Sequence, residues 1–345
     1  MQAMYYDTFG KTPVIEHVED PKCGPDSVIL RVRATGLCLS DWHGWQGHDP
    51  DIFLPHVPGH EFAGEVVEMG ARVSGFSLGQ RVTSPFIQAC GACQHCLAHQ
   101  SQVCAHQRQA GFTHWGSFAE FVEVPNASYN LITLEEHISF GAAALLGCRF
   151  GTAFHAVMNR TQQQRWGWSM VFGCGGVGQA IIQIERALGH HVIAVDRKES
   201  ALLHAQKNGA AHTLNFDDPD FAERVKVLTE GALQTTYDAA GSYHVLQKSL
   251  LVLDRLGRHL QIGLLPGAAP MGTLSLGRLI SHELELVGCH GISRTSYNQL
   301  MNFLALHQLD PAQMVHSHIS LAESVDDFTN MHNQSHDAGV TMIQF

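Results

Sequence analysis

Residues 169–196 read SMVFGCGGVGQAIIQIERALGHHVIAVD. A short apolar run, 170–172, ends in the glycine-rich turn Gly173-Cys174-Gly175-Gly176-Val177-Gly178. An amphipathic stretch over 177–188 and a second apolar run, 192–195, follow. Strand, tight turn, helix and strand in that order is the context that makes a G-x-G-x-x-G pattern specific. The glycines let the backbone approach a pyrophosphate, and the helix N-terminus offers free N–H donors and a partial positive charge. Asp196, eighteen residues past Gly178, can accept hydrogen bonds from the adenosine ribose hydroxyls. It would repel a 2′-phosphate, so NAD is expected in preference to NADP. Arg197 and Lys198 weigh the other way, since cations just past such a strand can serve NADP.

The alternation continues with apolar runs at 211–214, 236–239, 257–262 and 283–287, with helical stretches between most of them. About six strands in this arrangement predict an α/β fold with a doubly wound parallel sheet. A chain of 345 residues exceeds one core, so a second domain is expected. Residues up to about 151 supply it, with β-branched runs at 28–32 and 65–69 among Gly/Pro turns. Helices are expected at 298–307 and 321–332.

The second constraint is a cluster of cysteines. Cys90, Cys93, Cys96 and Cys104 fall in CGACQHCLAHQSQVC, where a window of that length would hold about 0.4 cysteines by chance. Thiolates bind zinc tetrahedrally, and two-residue spacings let one tight loop present three of them. A fourth sulfur closes the cage, so the site reads as structural. Two disulfides and an iron–sulfur cluster are the competing readings. His95, His99 and His106 lie in the same lobe but are not needed as ligands.

Three more residues stand far apart: Cys38 in GLCLSD, His60 in VPGHEFAG and Cys148 in LLGCRFGT. Singly, each has an ordinary reading as a core or surface side chain. Together they carry a resemblance. Gly59-His60-Glu61-x-x-Gly64-x5-Gly70-x2-Val73 matches the zinc signature of the medium-chain alcohol dehydrogenases. GLCLSDWH resembles that family's first catalytic-zinc loop, and the cysteine cluster its structural-zinc lobe. The likeness spans essentially the whole chain.

The resemblance implies two zinc ions per subunit. Cys38, His60 and Cys148 are implied to hold a catalytic one with an open fourth position. Asp41 matches the carboxylate that orients the ligand imidazole. Glu61 resembles an acidic residue able to approach or transiently ligate the metal; a buried salt-bridge partner is its other reading. Ser40 and His43 match a relay that carries the alcohol's proton through a cofactor ribose to solvent. For His43 an ordinary exposed histidine is the alternative. Thr152 matches a nicotinamide contact, and Arg294 a residue reaching the cofactor phosphates. Leu39 departs from the pattern, where many relatives carry a basic side chain against the pyrophosphate. Trp42 or Trp45 and Phe86 are expected in the substrate pocket, with His48, Leu264 and Leu265 as further lining. Cys23, Cys174 and Cys289 are expected as core thiols.

By the same resemblance, residues 1–151 and 288–345 form a GroES-like catalytic domain holding both zincs. Residues 152–287 form the Rossmann cofactor domain, with the active site between the two. The implied activity is reversible hydride transfer between a primary or secondary alcohol, aromatic or medium-chain, and NAD. A non-catalytic NAD(H)-binding sensor or scaffold and a zinc-independent reductase are the alternatives. A homo-oligomer, tetramer or dimer, is implied by analogy. A formal charge of -11 argues against nucleic acid as a partner. No apolar run approaches the roughly 18 residues of a membrane span. Met1–Gly10 lacks the features of a signal peptide, so the expected compartment is the cytoplasm.

Overall fold

A computed structural model describes residues 1–161, 167–265, 276–331 and 339–345. The chain divides into two compact units: one contains Met1–Gly151 and the segment from Gly291, the other Thr152–His290.

In the first unit the central strand, Val28–Gly36, runs antiparallel to Phe62–Met69 and to Phe121–Val124. The sheet continues through Arg81–Thr83 to Ile132–Thr133 on one side. On the other side lie Val340–Gln344 and its parallel partner Val315–Ile319. Val28, Leu30, Val32, Phe62, Val66, Val82 and Val122 interlock as the core. β-Branched side chains pack well on a pleated, enclosed surface, which is why these runs form strands. The helix Phe140–Gly147 (FGAAALLG) packs on the two central strands. From Gly141 onward it is buried, as a helix apolar on every face must be. Ser139 caps it, its hydroxyl accepting from the Ala142 amide at 3.1 Å.

The second unit is a six-stranded parallel sheet. Its order is His212–Asn215, His191–Asp196, Trp168–Phe172, Leu233–Asp238, Arg258–Gln261, Glu285–Gly288. The α/β class with a doubly wound sheet is therefore as expected, and each expected run overlaps an observed strand. The apolar strands Trp168–Phe172 and His191–Asp196 are buried along most of their length, as strands covered on both faces must be. Strand order reverses between Trp168–Phe172 and Leu233–Asp238, which opens a crevice at their carboxyl ends.

Of the late helices, Tyr297–His307 and Ser324–Asn330 match the expected stretches; the expected end of the second, His332, lies outside the described residues. Among the described residues no single helix is long and apolar enough to cross a membrane.

Candidate functional site

Cys38 and His60 meet because of strand register. Thr35 pairs with Phe62, so the chain leaving one strand and the chain entering the other lie side by side. Gly59 turns His60 inward with φ +105°, and a Cβ there would lie 2.5 Å from the Phe118 ring. Cys148 arrives from elsewhere, at the C-terminal end of Phe140–Gly147. The Sγ atoms of Cys38 and Cys148 and a ring nitrogen of His60 lie within 4.8 Å of one another. His60 Nε2 is 3.3 Å from Cys148 Sγ. Nitrogen and sulfur ligands on a tetrahedral zinc would stand about 3.6 Å apart, so the donor set fits such an ion. His60 is buried, and its Nδ1 lies 2.8 Å from Asp41 Oδ1, which also accepts from the Gly59 amide at 3.0 Å. With Nδ1 given to the carboxylate, Nε2 faces the cysteines. A hydrogen bond from Cys148, and beyond it the charges of Arg149 and His60, hold Cys38 well below the ordinary thiol range against burial. Phe86 and Phe112 cover the imidazole, with ring centroids at 5.8 and 5.3 Å.

Glu61 is fully buried and ion-paired with Arg149. Its Oε1 also accepts from the Arg149 amide at 2.9 Å. Burial pushes this carboxyl up, to about 7, against the pull of the guanidinium. Of its two sequence readings, the structure displays the salt-bridge partner. Arg149 was not singled out from sequence. The only hint was a cation inside an apolar stretch, LLGCRFGT.

The four-cysteine lobe is built from two short turns, Gln94–Leu97 and Ser101–Val103. Its sulfurs stand 3.5 Å (Cys90–Cys104), 3.6 Å (Cys93–Cys96), 3.8 Å (Cys93–Cys104) and 4.0 Å (Cys90–Cys96) apart. Sulfurs about 2.3 Å from a tetrahedral centre lie about 3.8 Å apart, whereas a disulfide would bring two to about 2.0 Å. All nine cysteines are free, which removes the disulfide reading. The amides of Cys90, Cys93 and His106 each point at a sulfur from 3.3 Å, an arrangement that favours thiolates. Cys174 and Cys289 are core thiols as expected, while Cys23 is only half-buried.

In the second unit the turn after Phe172 has little freedom. A Cβ on Gly178 would lie 1.9 Å from the Gly173 carbonyl, and one on Gly173 would meet the Ala240 amide at 2.8 Å. At Gly175 a Cβ would meet nothing, so space is left open at the start of the helix Gly176–Ala187. No side chain caps that helix, and its first amides are available to an anion. Gly176 and Val177 form its first turn. Asp196 accepts from the Cys174 amide at 2.8 Å and the Lys198 amide at 3.0 Å, tying the second strand to the turn. Arg197 is committed elsewhere, with Nε 3.0 Å from Asp217 and the guanidinium over Phe216. Sequence reasoning missed Asp238. Fully buried, it accepts from the amides of Ala240, Gly241 and Ser242 at 2.9, 2.7 and 3.2 Å and so shapes the loop facing Gly173. An acid ending an apolar run before Ala-Ala-Gly was the available signal.

Residues 24–135 match the alcohol dehydrogenase GroES-like domain and residues 176–306 the zinc-binding dehydrogenase domain. An alcohol dehydrogenase of Geobacillus stearothermophilus is 31% identical over 88% of this chain and 89% of its own. The chain belongs to the zinc-type medium-chain dehydrogenase/reductase family. The D-arabitol-phosphate dehydrogenase of Enterococcus avium is 30% identical over 88% of this chain and 86% of that one. The alcohol dehydrogenase TADH from Thermus sp. ATN1 superposes with a TM-score of 0.90 at 26% identity, covering 100% and 99% of the two chains. The protein is thus an oxidoreductase of the alcohol dehydrogenase type acting on small molecules.

Other residues expected from this family fall as follows. Ser40 and His43 lie one turn apart on the helix Leu39–Trp45, on the same side. His48, expected as pocket lining, instead pairs with His43, Nδ1 to Nδ1 at 3.1 Å. Trp45 is a correction. Its indole NH donates to the Lys11 carbonyl at 2.7 Å, and the ring packs with Leu37, Phe118 and Phe328 in a core cluster. Trp42 is half-buried beside that cluster, its NH 3.3 Å from the Thr329 carbonyl. Thr152 is buried on the helix Arg149–His155. Arg294 donates to the Leu131 carbonyl at 3.0 Å, and its buried Nε has no hydrogen-bond partner among the described residues. Leu39 and Leu264 are exposed.

Proposed function

We propose that the protein is a zinc-dependent alcohol dehydrogenase that uses NAD to interconvert primary or secondary alcohols with aldehydes or ketones. The observation that carries this reading is the three-ligand set Cys38, His60 and Cys148, beside a separate set of four cysteines. Four thiolates close a tetrahedral site, whereas three ligands leave a position for a substrate oxygen. Bound zinc supplies a Lewis acid that acidifies the alcohol, and the nicotinamide supplies the hydride acceptor.

The chain's own residues do the rest. Asp41 fixes the tautomer of His60. Phe86 and Phe112 keep water from the imidazole and favour an apolar or aromatic alcohol over a polyol. Ser40 accepts the alcohol's proton as its own hydroxyl proton moves on, and His43 passes a proton to solvent at the end of that relay. The Gly173–Gly178 turn and the amides of Gly176 and Val177 receive a pyrophosphate, with Thr152 at the nicotinamide and Arg294 available to the phosphates. Asp196 takes the ribose hydroxyls. With Arg197 held by Asp217, that guanidinium is not offered to a 2′-phosphate, which supports NAD, while Lys198 still weighs the other way.

We place the domain boundaries at 151/152 and, in place of the expected 287/288, which would cut the strand Glu285–Gly288, at 290/291, with a cytoplasmic homo-oligomer as the working form. The edge strand Glu285–Gly288 is largely exposed and could pair with a second copy.

The test is NADH or NADPH absorbance with a panel of primary, secondary and aromatic alcohols. NAD should support turnover, and Asp196→Gly should relax the preference for it. Equal use of NAD and NADP by the wild type, or an unchanged ratio in the variant, would sink the assignment.

A further inference from the structure

Each of the three ligands in the open site has an immediate sequence neighbour: Leu37 beside Cys38, Glu61 beside His60, Arg149 beside Cys148. Those three neighbours are joined to one another. Arg149 donates from Nη1 to Glu61 Oε2 and from Nη2 to the Leu37 carbonyl, while its amide donates to Glu61 Oε1 at 2.9 Å. The guanidinium therefore bridges three segments that reach the site from positions 88 and 112 residues away. The surroundings are shaped for it. Arg149 is 6% exposed and Glu61 fully buried. Gly36 lies against the pair, and a Cβ there would stand 2.5 Å from Glu61 Oε2 and 2.8 Å from Arg149 Nη1. Both oxygens of the Glu61 carboxylate accept from Arg149, so the carboxylate is turned to the arginine.

We propose that Arg149 is the positioning residue of the open metal site: it ties the three ligand-bearing segments together and holds the Glu61 carboxylate out of the coordination sphere. The inference rests on the reading that Cys38, His60 and Cys148 hold the catalytic zinc. A planar guanidinium suits this task because it donates in two directions at fixed angles, which a lysine ammonium cannot reproduce. The same cation offsets the charge that two thiolates, Asp41 and Glu61 bring into a closed space.

The second zinc site supplies the control, because the four-cysteine lobe does not touch this bridge. The experiment follows zinc release from purified holoenzyme to a chromophoric chelator for wild type, Arg149→Lys, Arg149→Met and Glu61→Gln/Arg149→Met. It also records the d–d spectrum of the cobalt-exchanged proteins. One of two zincs should leave Arg149→Met about 10- to 100-fold faster than wild type, as when the groups that orient metal ligands are removed. The other should leave at the wild-type rate. The cobalt spectrum of Arg149→Met should shift toward higher coordination as the freed carboxylate moves in. Arg149→Lys should fall between.

The double variant is decisive because it has no stranded buried carboxylate. It should fold and give a four-coordinate spectrum, yet still release zinc faster than wild type. Wild-type release from the double variant would overturn the proposal, leaving Arg149 as a counter-charge for Glu61 and nothing more. Equal acceleration at both zinc sites would also overturn it, as general loosening of the fold. A wild-type protein that held only one zinc would instead refute the reading of the open site on which the inference rests.

Discussion

Asp41 and His60 share a hydrogen bond that decides which imidazole nitrogen faces the two cysteines. Asp41→Asn keeps the shape but offers a neutral acceptor, so zinc affinity at this site should weaken by about 10- to 100-fold. Equilibrium competition with a calibrated chelator measures it, and the four-cysteine site should not change. His56 makes a different kind of prediction. It is buried against Tyr6, its Nε2 has no hydrogen-bond partner among the described residues, and burial pulls its pKa down to about 4 from the usual 6.5. Between those values the unfolded chain binds a proton that the folded chain excludes. The stability this neutral histidine contributes is therefore complete above pH 6.5 and is lost as pH falls toward 4. At about 1.4 kcal/mol per unit the loss amounts to about 3 kcal/mol. In urea unfolding, His56→Phe should lose about 2.5 kcal/mol less stability than wild type between pH 7 and pH 4.5. At this scale the two groups of Cys and His that the fold brings together were legible, the four cysteines from their spacing and Cys38, His60 and Cys148 from the resemblance. Arg149, Phe112, Asp238 and the His43–His48 pair were not. Arg149 and Phe112 owe their places to contacts between segments far apart in the chain, Asp238 to the fold of its own loop, and the histidine pair to the turn that closes the helix Leu39–Trp45, none of which spacing along the chain encodes.

The four-cysteine lobe contains only two short helical turns, neither of which could persist in water alone. On the proposed reading, a bound ion supplies much of its order. Cys93→Ser should leave one zinc per chain in elemental analysis and open the segment 90–106 to proteolysis, while the zinc at Cys38, His60 and Cys148 stays. The glycine turn behaves in the opposite way, since its order comes from packing. Gly178→Ala would place a methyl group 1.9 Å from the Gly173 carbonyl. Helix and strand must then separate, and nicotinamide cofactor affinity should fall by at least about tenfold in a fluorescence titration, with zinc content unchanged. Strands and helices in the second unit were readable because buried parallel strands are continuous apolar runs set off by glycine turns. Trp45 shows the limit of such reading. An aromatic residue near an active-site loop can serve a pocket or a core, and only the Lys11 carbonyl and the Phe328 ring placed it in the core.

For the whole molecule, a group of four cysteines and a group of two cysteines and a histidine, each able to hold a metal ion, occur with a glycine-rich turn in one chain of a family of zinc-type dehydrogenases. The fold class followed from periodicity, and membership of a zinc-type dehydrogenase family from a handful of spaced residues. Substrate choice did not follow, because pocket walls are made by packing and the same Trp and Phe residues serve both ends. On the proposed reading the site of Cys38, His60 and Cys148 performs the chemistry and the four-cysteine site does not. The most direct measurement withdraws zinc stepwise with a chelator and records zinc per chain and alcohol-dependent NADH formation on the same samples, alongside Cys148→Ser. Turnover should fall in proportion to the second zinc and return when zinc is restored, and Cys148→Ser, holding one zinc, should be slower by roughly three orders of magnitude. Undiminished turnover in protein whose remaining zinc sits only in the four-cysteine site would contradict the account.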